Sequence, residues 1–178
     1  PDFSGVTDDT KEFEAFSDGW YAGTILGTRT FTDKNGNDRV FESTDTPSQG
    51  GDSRNIRLQV TLKRQSDGRT LNVSPLINYV PSDLTQETVQ AVMAQKEKNK
   101  ETGENEWGSL FRPFMMLQRL GKLQRIAGVR QLQRNGNGGL DLTPLHNKTG
   151  YFRIGEDTRN PKYKEVKDFT EVTPKRLL

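Results

Sequence analysis

The chain has 178 residues, enough for one domain with a core of its own, and its mean hydropathy of -0.85 with 17 glycines assigns much of it to loops and solvated surface. The absence of cysteine excludes disulfides, thiolate nucleophiles and cysteine-bound metal clusters, and no run approaches the roughly 20 apolar residues of a membrane span. The net charge of +2 hides a segregation. Residues 1–53 hold eleven acids against Lys11, Arg29, Lys34 and Arg39, whereas residues 109–135 hold six bases and no acid, and residues 54–81 five bases and only Asp67. Such a division is the footprint of a protein that meets a polyanion on one side.

The acidic first sixteen residues read as an N-terminal extension without a signal peptide's basic and apolar regions, which fits a cytoplasmic protein. Ser17-Asp18-Gly19 then introduces a strand over Trp20 to Leu26. A second extended region spans Arg29 to Phe41 and folds back at Asn35-Gly36-Asn37-Asp38, where Asn-Gly signals a two-residue hairpin loop. Glu42 to Ser53, rich in Ser, Thr, Asp and Gly, reads as a mobile loop. Arg54 to Arg64 alternates cleanly, with Ile56, Leu58, Val60 and Leu62 on one side and Arg57, Gln59, Thr61 and Lys63 on the other, as a half-buried antiparallel strand does. Ser66 to Arg69 turns the chain, and Thr70 to Tyr79 returns until Pro75 breaks the ladder.

A helix is expected after Pro81, capped by Ser82 or Asp83 and directing Val89, Val92 and Met93 inward, and it should fade into a flexible excursion over Glu97 to Gly108. In the second helix, roughly Ser109 to Val129, Met116, Leu120, Leu123 and Ala127 form one stripe. Arg112, Arg119, Lys122 and Arg125 fall within an arc of roughly 140° on the other side. Gly136 to Gly139 is a loop, and Thr149 to Gly155 with Tyr163 to Thr170 form a final pair of strands. These readings give one domain over 17–170, with helices over about 82–129 and a tail over 171–178.

Little here points to catalysis. His146 is the sole histidine, and its neighbours Leu145 and Asn147 form no nucleophile or metal motif. Gly136, Gly138 and Gly139 are not followed by the Gly-Lys-Ser/Thr of a phosphate cradle. The N-terminal carboxylates fall in predicted loops, whereas metal-dependent nucleases hold paired acids on rigid elements. The expectation is therefore a binding protein without cofactor or metal. Single-strand binders need a cationic groove for the backbone and aromatic faces for the bases. Arg57, Lys63, Arg64 and Arg69 are candidates for the first, joined by Arg153 and by Arg119, Lys122 and Arg125 of the second helix; Tyr79, Tyr151, Phe152 and Tyr163 are candidates for the second, with only one of the adjacent Tyr151 and Phe152 able to point inward on a strand.

Gly19-Trp20-Tyr21 opening a strand, the Ile56 to Leu62 strand, the Gly68 turn, a Leu-rich helix ending Ile126-Ala127-Gly128-Val129, and the late Tyr151 to Ile154 and Tyr163 to Phe169 strands together resemble a bacteriophage family. Its members are OB-fold single-stranded-DNA-binding proteins of phage replication and recombination modules. The resemblance implies a mainly β fold, a Greek-key barrel of about five strands with the helices inserted between strands three and four. It also implies sequence-independent binding of single-stranded DNA in the host cytoplasm. Replication or recombination proteins and further copies of the chain are candidate partners. The alternative reading is a structural β-barrel protein of a virion or other assembly, with no nucleic-acid role.

Overall fold

The computed structural model describes Pro1, residues 16–161 and residues 163–178. Most of the predicted N-terminal extension lies outside the described residues; of its span, Phe16 is buried against Tyr21, ring centroids 4.9 Å apart.

The described residues are mainly β, with two α-helices and antiparallel sheets, none of which closes into a barrel. In chain order the strands are β1 (Gly19–Leu26), β2 (Thr28–Thr32), β3 (Asp38–Glu42), β4 (Thr44–Pro47), β5 (Arg54–Arg57), β6 (Gln59–Lys63), β7 (Thr70–Val73) and β8 (Leu76–Tyr79). Then come helices α1 (Gln86–Thr102) and α2 (Phe111–Ala127), followed by β9 (Thr149–Glu156) and β10 (Lys164–Thr170). Five strands form one sheet in the order β10-β9-β1-β6-β7, β4-β5-β8 form a second, and β2-β3 stand as a two-stranded hairpin.

The alternation over 54–64 is real, but it belongs to two strands rather than the single one expected. Pro75 has no N–H, so the return strand loses a ladder bond there, and Leu58 N instead donates to Pro75 O at 3.1 Å. The interruption turns both strands from one sheet into the other while Ile56, Leu58, Val60 and Leu62 all stay buried. Glu42 to Ser53 is likewise not a mobile loop throughout, since β4 pairs with β5 from Thr44↔Arg57 to Pro47↔Arg54. The hairpin loop at 33–37 has five residues, not two. The Asp33 carboxylate accepts from the amides of Asn35 and Asn37, at 2.9 and 3.0 Å, and Gly36 supplies the positive φ of +80°.

Helix α1 starts later than expected and ends later too. A 3-10 turn over Pro81–Asp83 precedes it, and Thr85 is the cap, its hydroxyl accepting from Thr88 N at 3.1 Å. The helix continues through much of the predicted excursion before stopping at left-handed Gly103. Of its predicted inward residues Val92 is buried, but Val89 and Met93 are exposed. In α2 the stripe of Met116, Leu120, Leu123 and Ala127 is buried as its spacing predicts, together with Ile126.

The core lies between the inward side chains of the sheets and α2. Gly23 faces Gly150 across β1 and β9. A Cβ on Gly23 would stand 2.8 Å from both Leu62 Cδ2 and Phe152 Cδ2, and one on Gly150 would stand 2.9 Å from Ile126 Cδ1. This glycine pair is what lets α2 and the curled sheet meet over one core. Gly23→Ala is expected to destabilise the fold by roughly 1–3 kcal/mol through overpacking. Urea denaturation followed by circular dichroism measures this, and an unchanged midpoint would contradict the packing described.

Candidate nucleic-acid interface

The register of the large sheet decides which predicted residues share a surface. Side chains of one strand alternate between faces, and paired residues share a face. Tyr21, Ile25, Val60, Leu62, Phe152 and Ile154 point into the core, so their neighbours point out. One outward row runs Tyr151, Ala22, Lys63, Thr70 across β9, β1, β6 and β7. The next outward row brings Arg153 beside Trp20. Between Tyr151 and Lys63 lies only the methyl group of Ala22, so the surface there is flat. The chain end lies beside it: Thr173 Oγ1 donates to the Tyr151 hydroxyl at 2.8 Å, and Leu178 N donates to Trp20 O at 2.8 Å. Lys175 and Arg176, both exposed, lie between these two anchor points.

The basic residues of the two sheets and of the 64–69 turn differ in how they are engaged. Arg57 and Lys63 are exposed and, like Arg153, make no ion pair among the described residues. Arg64 holds Asp67 through two bonds, Nε to Oδ1 at 3.0 Å and Nη2 to Oδ2 at 2.7 Å, and its guanidinium stands 4.6 Å from the Phe16 ring centroid. Arg69 stands 3.4 Å from the same carboxylate. The Arg64 bond, foremost, lowers the Asp67 carboxyl to about 2. Its folded value lies below the unfolded one, so the pair is present above ordinary carboxylate values and is lost as pH falls through about 2.

Helix α2 contributes less than its basic arc predicts. Lys122 Nζ bonds Asp168 Oδ1 at 2.9 Å, Arg125 Nε bonds Glu171 Oε1 at 2.7 Å, and Arg119 is half-buried. Lys122 and Arg125 therefore fasten the helix to β10 and the turn beyond it. Tyr79 is a correction: only 2% exposed, it faces the core and donates its hydroxyl to Asp45 Oδ2, so no base can stack on it. Burial first, then the Asp45 carboxylate, pushes its hydroxyl above the usual tyrosine range. Tyr163 is 64% exposed at the start of β10.

Sequence reasoning missed the most suitable aromatic surface. In the β2–β3 hairpin Arg29 opposes Phe41 and Phe31 opposes Arg39, so one face carries two arginines and two phenylalanines in a checkerboard. The Phe31 and Phe41 rings stack with centroids 5.2 Å apart and planes within 8°, and they are 38% and 43% exposed. Arg29 reaches over both, 5.8 Å from Phe31 and 5.2 Å from Phe41, and its Nη2 bonds Gln59 Oε1 at 3.5 Å. Gln59 is buried at the start of β6, four residues from Lys63, so Arg29 ties the aromatic hairpin to the strand that ends at that cation. The signal was present as Arg-x-Phe twice, at Arg29-Thr30-Phe31 and Arg39-Val40-Phe41, on either side of a turn.

Below this surface lies a buried charge. Asp45 accepts from Arg54 Nε at 2.7 Å, from the Tyr79 hydroxyl and from Leu140 N at 2.8 Å, with its side chain fully buried. The bond to Asp45 raises the Arg54 guanidinium above its ordinary value. No family model, curated protein or solved structure matches this chain.

Asp45→Ala leaves a buried guanidinium without its partner and is expected to cost roughly 3–5 kcal/mol, measured by chemical denaturation. A loss under about 1 kcal/mol, the usual size for an exposed pair, would contradict the buried network.

Proposed function

We propose that this chain is a non-enzymatic protein that binds single-stranded DNA without regard to sequence, of the kind used in phage replication and recombination. The observation that carries the reading is the checkerboard of Arg29, Phe31, Arg39 and Phe41 on one hairpin face. Half-exposed rings offer bases a stacking surface that tolerates any sequence, while Arg29 beside them, and Arg39 in exchange for its Asp33 partner at 3.1 Å, meet the phosphates. Lys63 and Arg153 place positive charge on the five-stranded sheet beside Tyr151 and Trp20, and Arg57 adds a cation on β5 of the three-stranded sheet.

The topology supports an OB-like reading of the sheet. Numbered along the chain, its strands β1, β6, β7, β9 and β10 are first to fifth, and the order β10-β9-β1-β6-β7 becomes 5-4-1-2-3. That is the order of an OB barrel opened between its third and fifth strands, and β7 and β10 do approach one another. Both helices fall between the third and fourth of these strands. OB-folds bind oligonucleotides on their second and third strands and with the loops after strands one and four. In this chain the first of those loops contains the Phe31/Phe41 hairpin, and the second ends at exposed Tyr163. A duplex reader that entered a groove with α2 would have to release Lys122 and Arg125 from Asp168 and Glu171. The competing reading, an assembly protein, draws on Val40, exposed on the opposite face of the same hairpin.

Fluorescence anisotropy with labelled oligo-dT tests the proposal. Binding should weaken steeply with salt, since each neutralised phosphate releases counterions. Phe31→Ala and Phe41→Ala should each weaken it by roughly 1–3 kcal/mol, about 5- to 150-fold, with the fold intact. No binding at low salt, together with sedimentation as an assembly, would overturn the reading in favour of the competing one. Asp67→Asn should leave folding intact and raise affinity severalfold, because it removes a carboxylate that competes with phosphate for Arg64 and Arg69. Unchanged or weaker binding would place those two arginines away from the strand.

A further inference from the structure

Helices α1 and α2 diverge around a groove of about 940 Å³ that shares no residue with the sheet-and-hairpin surface. Its floor is apolar, made by Val92, Leu120, Leu132 and Leu140, which belong to the core margin. The α1 wall is apolar as well. Val89 and Met93 stand one turn apart on it and are exposed to solvent rather than packed. On the α2 wall Gly121 occupies the middle of a helix, where glycine costs roughly 0.5–1 kcal/mol and no positive φ calls for it. Its missing side chain widens the groove.

The charge around the groove has one sign. Lys96, Lys122, Arg125 and Arg134 line it, and among the described residues no Asp or Glu does. Lys122 and Arg125 are held by Asp168 and Glu171, but Lys96 and Arg134, both exposed, have no ion pair among the described residues. An apolar trough between two helices with unpaired cations at its rim fits an amphipathic helix that puts apolar residues at i, i+3, i+4 and i+7 into the trough and carboxylates on its flanks. Neutral side chains at Gln118, Gln124 and Gln133 complete a rim able to bond such a helix without repelling it.

We infer that the groove between α1 and α2 docks an acidic amphipathic helix of a partner protein. The inference stands apart from the binding of DNA, because the two surfaces are built from different elements. It explains why α1 exposes Val89 and Met93 towards α2 rather than burying them.

The test uses the full chain and three fluorescein-labelled peptides of about fourteen residues, two heptads long. The first carries Leu and Phe at i, i+3, i+4 and i+7 and Glu on its flanks; the second replaces Glu by Lys; the third keeps Glu but replaces the apolar residues by Ser. The first should bind saturably, with a Kd of roughly 1–100 µM, and the others at least about tenfold more weakly. Lys96→Glu with Arg134→Glu, two exposed positions, should abolish binding while the circular dichroism spectrum is kept. Gly121→Leu should block the groove from within. No saturable binding of the first peptide, equal binding of the Lys peptide, or binding that survives in folded Gly121→Leu would overturn the inference. Displacement of the first peptide by unlabelled oligo-dT would overturn it too, by showing the groove to be a nucleic-acid site. A chain that binds the peptide but no oligo-dT would leave the groove standing and remove the function proposed above.

Discussion

A single buried carboxylate holds together segments that the sequence scatters. Asp45 on β4 receives Arg54 from β5, Tyr79 from β8 and the amide of Leu140 from a tight loop ninety-five residues away. A charge removed from water is tolerable only when its lone pairs are filled, and here three donors fill them. Gly139 belongs to the same constraint, because a Cβ there would stand 2.8 Å from both Asp45 Cγ and Arg54 Nη2. The consequence reaches the proposed interface through the backbone. Only Ser43 separates β3 from β4, and its hydroxyl donates to Leu26 O at 2.7 Å and accepts from Gln59 N at 2.9 Å. Fixing β4 therefore fixes where the β2–β3 hairpin leaves the sheet, and with it where Phe31 and Phe41 stand.

The cations divide by what they meet. Lys122 and Arg125 of α2 are drawn to Asp168 and Glu171 and serve to lay the helix along β10, while Arg64 and Arg69 share Asp67 in the turn. Arg57 and Lys63 stand on strands beside neutral neighbours and remain available to a phosphate, whereas Arg153 stands between Trp20 and Asp168. Charge counted along the sequence had weighted the helix most heavily. Counted by partner, Arg57 and Lys63 on strands and Arg112 and Arg119 on α2 have no ion pair among the described residues, Arg39 of the hairpin meets Asp33 at 3.1 Å, and the helix pair offers a separate groove with its own chemistry.

Much of the strand pattern was legible because alternation is local: Ile56, Leu58, Val60 and Leu62 are buried, and β1, β9 and β10 begin and end within a residue or so of the positions that their turn residues mark. The α2 stripe was legible for the same reason, at the helical period. What stayed hidden depends on contacts distant in sequence. Glu42 to Ser53 has the composition of a loop, and only Asp45 meeting Arg54 and Leu140 N makes part of it a strand. Tyr79 looked like a stacking surface because nothing local says which face of β8 is inward. The Arg-x-Phe repeat was readable at period two, but its value rests on Phe31 and Phe41 lying on the same face, which the five-residue loop and its register decide.

Photocrosslinking tests the central claim most directly. Oligo-dT carrying 5-bromouracil is bound to the intact chain, irradiated and digested, and the adducts are located by mass spectrometry. Adducts are expected on Phe31 or Phe41, with further ones at Trp20, Tyr151 or Tyr163. Adducts confined to α1 and α2, or none in the 28–42 hairpin, would contradict it.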